Sequence, residues 1–214
     1  MASFTRTILF LSLTSFLSCN SGPNVKPVSE ASKIDTTAKS YDSILTEREA
    51  AAAKKKPNTL GHQVKTILFQ RKTTDLKTYS DGVIPWASIG KPEKDFPTLI
   101  DRDIIVIDEN KITIIIDYPL THEYRFDMVS NNGFTRVQLL KEISKQYYNI
   151  YDEEEKSATI KTVPPKDRTT TYNRNQTNGK YGIWGHDISD MDLEEISVFK
   201  TPDGQLVLSL NVAS

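Results

Sequence analysis

The sequence predicts an α+β domain, a mostly antiparallel sheet with one main packed helix, following a disordered N-terminal tether. Three observations lead there. Ile104-Ile105-Val106-Ile107 and Ile112-Thr113-Ile114-Ile115-Ile116 are β-branched runs with the near-continuous apolar character of strands covered on both faces. The segment from Thr135 onward joins a capping box to an apolar stripe at helical spacing. Residues 193–199 and 205–212 flank Thr201-Pro202-Asp203-Gly204, whose chemistry suits a type I turn. With 37% hydrophobic and 26% charged residues in a chain of 214, the composition is that of a globular protein with room for one domain and extensions.

Taken in order, residues 1–18 read as an export signal, 19–57 as a tether and 58–214 as the folded domain. Residues 20–57 hold few large apolar side chains, so they bury too little surface to offset the entropy of ordering. Within them, residues 42–56 can form a short helix. Thr46 and Glu49 stand at capping-box spacing, Ala50 to Ala53 are strong helix formers, and Lys54 to Lys56 fall where the helix dipole favours cations. Pro57 stops it. Residues 62–69 read as a strand, followed by an irregular stretch holding Ile84-Pro85-Trp86 and Gly90-Lys91-Pro92. The two isoleucine-rich runs are expected to pair as a hairpin through residues 108–111. Residues 123–129 alternate and read as a third strand.

The helix that follows is marked by Thr135 and Gln138 as a capping box and by Phe134 and Leu139 as a hydrophobic staple. Val137, Leu140, Ile143, Tyr147 and Ile150 form its stripe. The acidic run Asp152 to Glu155 opposes the dipole at a helix C-terminus, so fraying is expected there. Residues 158–163 read as a further strand before Pro164-Pro165. In the final hairpin, Leu206, Leu208, Leu210 and Val212 share one face.

Several function classes are disfavoured by what the chain lacks. A net charge of −1 is not that of a protein built to neutralise phosphates, so no nucleic-acid partner is expected. One cysteine leaves no intrachain disulfide and no cysteine-based zinc site. The three histidines, His62, His122 and His186, show no HExxH or paired spacing, and neither a G-x-S-x-G elbow nor a phosphate loop is present. No catalytic residue, metal or cofactor is therefore assigned. The segment 164–192 is long for a loop in a small domain, and such loops often carry function. It is rich in aromatic rings beside Asn, Arg, His and Asp, the combination that a peptide or carbohydrate site needs. Tyr172, Asn175, Tyr181, Trp184, His186 and Asp187 are the candidate binding residues, with Gly182 and Gly185 allowing sharp turns around Trp184. The same aromatics could instead pack the loop on the sheet. An alternative of another class is a small hydrolase with His186 as base and Asp187 as its orienter.

Residues 1–18 place one positive side chain, Arg6, ahead of the apolar residues 8–17, a stretch too short to cross a bilayer core of about 30 Å. The segment closes in Phe16-Leu17-Ser18-Cys19, which resembles the lipobox of bacterial lipoproteins. Ser18 fits the small position before the cysteine. Leu17 is bulkier than usual, and Phe16 stands where Leu is common. The resemblance implies that Cys19 carries diacylglycerol on its thiol and becomes the N-terminus after cleavage, so that a lipid attaches the protein to a membrane. In that family Asp after the cysteine signals retention in the inner membrane. Asn20 stands here, which implies the outer membrane of the cell envelope. Tyr181-Gly182-Ile183-Trp184-Gly185-His186-Asp187 also resembles segments of uncharacterised bacterial envelope proteins, a likeness that brings no activity with it. The expected protein is thus a lipid-anchored, extracytoplasmic binding domain whose ligand is a protein or a glycan.

Overall fold

The structure, a computed structural model, describes residues 40–54, 60–168 and 174–214. The expected export signal, Cys19, the tether up to residue 39 and Tyr172 lie outside the described residues. Of the two units into which the chain divides, Met1–Ala38 and Lys39–Ser214, the second holds everything described.

The chain opens with helix α1 (Tyr41–Lys54) and strand β1 (His62–Leu68). Four short elements follow: β2 (Arg71–Lys72), β3 (Val83–Ile84), β4 (Ala87–Ser88) and α2 (Pro92–Asp95). Strands β5 (Ile105–Ile107), β6 (Lys111–Ile116), β7 (Tyr124–Val129) and β8 (Phe134–Thr135) lead into helix α3 (Arg136–Ser157). After the long loop come β9 (Asp192–Lys200) and β10 (Leu206–Ala213). The main sheet runs β1-β9-β10-β6-β7, with β4 also on β9. Every pair in it is antiparallel except β10 with β6. This is an α+β fold with one long helix on a mostly antiparallel sheet.

Helix α3 begins where its sequence says. The Thr135 hydroxyl accepts from the Gln138 N–H, and the Gln138 side chain accepts from the Thr135 N–H. Leu140, Ile143, Tyr147 and Ile150 are fully buried, in one cluster with Ile112, Ile114 and Ile116 of β6 and Leu208 of β10. Each such side chain contributes about 1.5–3 kcal/mol by leaving water. The irregular stretch after β1 is pinned by an ion pair of 2.6 Å between Arg71 and the buried Asp95.

Three local expectations are corrected. The two isoleucine-rich runs do not form a hairpin. Strand β6 bonds β7 on one side and β10 on the other, which leaves no free edge for β5. Strand β5 instead pairs with β8 in a separate small sheet. Gly133 makes that pairing possible: its φ is 69°, and a Cβ there would lie 2.5 Å from the Ile107 carbonyl. Helix α3 does not fray at its acidic run but continues to Ser157, because Glu154 is buried and fully bonded, as described below. Residues 158–163 form no strand. Side chains take the amides a ladder would use: Asn178 Oδ1 accepts from the N–H of Thr159 and of Ile160, and Asn175 Oδ1 from that of Val163.

At the N-terminal side, a helix was expected within the tether, and α1 is that helix. It lies on the domain, with Leu45 only 6% exposed. At the sheet edge, β1 carries a bulge between Gln63 and Lys65, and the Lys65 ammonium donates to the Val106 carbonyl at 2.7 Å. A bulge and a lysine are the usual guards of an exposed strand edge.

Candidate functional site

The loop between α3 and β9 is built around a carboxylate. Glu154 is 0% exposed. Its Oε1 accepts from the Thr177 hydroxyl at 2.6 Å and the Gly179 N–H at 2.8 Å. Its Oε2 accepts from the N–H of Tyr181 at 2.7 Å and of Gly182 at 3.1 Å. Burial pushes the Glu154 carboxyl up, but the hydrogen bonds from Thr177, Tyr181, Gly179 and Gly182 outweigh it and hold the group below its ordinary range. Gly182, at φ 63°, turns the chain so that both neighbouring amides reach the same oxygen.

This frame places the candidate residues in different roles. Tyr181 joins the main hydrophobic cluster, its ring edge-on to Tyr124 at 5.7 Å and its hydroxyl donating to Glu153 at 2.6 Å. Asn175 acts as a clasp on residues 161–163: besides accepting from Val163, its amide donates to the Lys161 carbonyl at 3.0 Å. Asp187 accepts a two-pronged contact from Arg168 at 2.6 and 3.0 Å. That contact is the leading reason the Arg168 guanidinium is held above its usual range.

Trp184 and His186 stand apart from these. Trp184 is 5% exposed, yet it is not a member of the main hydrophobic cluster among the described residues. Around it lie the Tyr118 ring at 5.3 Å, the His186 ring at 5.9 Å and the guanidinium of Arg48 in α1 at 5.6 Å. Tyr118 and His186 lie 5.4 Å apart. Helix α1 spans this aromatic group. Glu49 Oε1 lies 2.7 Å from His186 Nε2 and accepts from the Tyr118 hydroxyl at 3.0 Å. The Tyr41 hydroxyl donates to the Arg174 carbonyl at 2.7 Å and accepts from the Gly185 N–H at 3.4 Å. Burial first, and then the Glu49 charge, keep the Tyr118 phenol protonated well above its usual range, so it remains a donor.

The geometry separates His186 from Asp187, whose side chains go to Glu49 and Arg168 respectively. Ser214 Oγ comes within 3.5 Å of His186 Nε2, the nitrogen already facing Glu49. In a Ser-His-acid relay the serine and the acid use opposite ring nitrogens, so these three residues do not form one. Among the described residues no group of three His, Cys, Asp or Glu side chains is placed to hold a metal. A cleft of about 430 Å³ lies elsewhere, between the start of β6 and the β9–β10 turn, lined by Lys111, Thr113 and Gln205 among others.

Sequence reasoning pointed to this loop but missed the groups that organise it. Glu154 falls four residues after Ile150 and seven after Tyr147, on the apolar stripe itself, and a charge in that register is the signal that could have found it. Arg174, 2% exposed, has its guanidinium 4.8 Å above the Tyr151 ring and its Nε on the Thr162 hydroxyl at 3.1 Å. Nothing in local spacing links Glu49 to His186. No family model matches the chain, and no curated protein or solved structure matches it either.

Proposed function

We propose that this chain is a bacterial lipoprotein, acylated at Cys19 and held at the outer membrane, whose α+β domain works by binding a partner in the cell envelope through the loop around Trp184. The lipobox resemblance supports the anchor. One structural observation carries the binding role: the buried Trp184, outside the main hydrophobic cluster, groups with the half-buried Tyr118 and His186 rings beneath a helix from the tether end. The polar groups of the loop favour binding over catalysis, since Asp187 and His186 are engaged by Arg168 and Glu49 rather than aimed together at a cavity. The test is affinity capture from envelope extract, and from an array of envelope glycans, with the acylated wild-type chain and with Trp184→Ala. Specific capture that Trp184→Ala loses is the expected result. Equal capture by both chains, or none by either, sinks the reading.

A further inference from the structure

We propose that the Tyr118–Trp184–His186 surface is a helix-binding site, which α1 occupies in cis, and that its partner is a helix of another protein that carries the same face of side chains and displaces α1. The proposal rests on the reading that this loop is a binding surface, and it commits that surface to a protein ligand. The seated segment shows what the surface takes. Tyr41, Leu45, Arg48 and Glu49 recur at i, i+4, i+7 and i+8, one face of a helix. Along that face, Leu45 is buried, Arg48 covers the Trp184 ring and Glu49 meets the imidazole. A complementary partner helix therefore carries an aromatic hydroxyl, an aliphatic side chain one turn on, and a cation beside a carboxylate one turn further. As in other helix-recognition sites, anchors one turn apart would supply the recognition.

The docked helix is suited to leave. It has 14 residues, a length at which an isolated helix is marginal in water, so its order depends on the seat. Leu45 is its one buried large apolar side chain among the described residues. Its other contacts are made by polar side chains of its own that water can also solvate: the Glu49 carboxylate, the Tyr41 phenol and the Arg48 guanidinium. A ligand held in cis lowers the apparent affinity of a competitor by the fraction of molecules in which the seat is taken.

The experiment adds a fluorescent peptide of residues 40–54 to the full-length chain in detergent and reads its anisotropy. The wild-type chain, whose own helix competes, is expected to bind weakly. Leu45→Asp, which releases that helix, is expected to bind at least about tenfold more tightly, and adding Trp184→Ala to it is expected to abolish binding. Glu49→Arg, which sets a cation against His186, is the second releasing variant and is expected to act in the same direction. If neither variant binds the peptide more tightly than wild type, the proposal is overturned. It is equally overturned if both unfold, since α1 is then a permanent part of the fold. Should the peptide fail to bind while Trp184-dependent capture of an envelope glycan persists, the helix site is lost and the binding role stands. Should both fail, the binding role falls as well.

Discussion

At the scale of single residues, the buried carboxylate decides most. Glu154→Ala strips three amides of their acceptor and leaves the Thr177 hydroxyl only the Ile183 carbonyl, and each stranded buried donor costs about 1–3 kcal/mol before water enters. We expect a loss of about 3–5 kcal/mol in urea denaturation, against a smaller loss for Glu154→Gln, which keeps one acceptor. The same group gives a pH dependence with a defined sign. Its folded pKa is held below the unfolded value of about 4.3. Its contribution is therefore complete above the unfolded value and disappears as pH falls through the folded one. Between pH 7 and pH 3 the wild-type chain should lose more stability than Glu154→Gln; parallel curves would show that Glu154 is not the titrating group. Tyr181→Ala should cost about 3–5 kcal/mol, as for other core aromatics, whereas Trp184→Ala should cost only about 1–2 kcal/mol because the cavity opens under a helix able to adjust. Equal losses would place both rings in one core. Trp184 and His186 were legible as residues of interest, since rings between glycines and polar groups stand out in a loop. Glu154 and Glu49 were not, because a pattern reading treats acids as solvated, and the Glu49–His186 contact joins residues 137 apart.

At the scale of elements, the long helix and the final hairpin were readable because their determinants are local. A capping box, a stripe and a four-residue turn act within a few residues of themselves. Strand β5 was misplaced for the opposite reason. Its residues look like those of β6, and only the arrival of β10 from 90 residues later decides which edges are taken. Helix α1 was readable as a helix but not as a docked one, since its stability comes from the seat. A chain shortened to begin at Pro57 should keep its sheet and α3, as judged by hydrogen exchange of the β6 and β10 amides. It should nevertheless expose Trp184, moving tryptophan emission to the red and lowering Tm by about 2–4 °C, the shift for a loss near 1 kcal/mol in a domain of this size. An unchanged spectrum would mean that α1 does not shield the ring.

At the scale of the whole molecule, the proposed attachment is separable from folding. No described helix is long and apolar enough to cross a membrane, and the apolar residues 8–17 are too few to do so. Under the proposed anchor, Cys19→Ser should release the protein from washed membranes without changing its denaturation midpoint. Persistent sedimentation with membranes would remove the case for acylation. The globular part was legible in class because composition and periodicity set it, while the partner was not, because recognition depends on surfaces assembled from distant segments. The seating of α1 also has a mechanical side. Under the proposed anchor, the 21 residues from 20 to 40 limit the leash to at most about 75 Å while the helix is docked. Releasing and unwinding it lengthens the leash to the 40 residues from 20 to 59, at most about 140 Å. A partner that takes the seat would thereby let the domain out, nearly doubling the distance from the bilayer at which it can work.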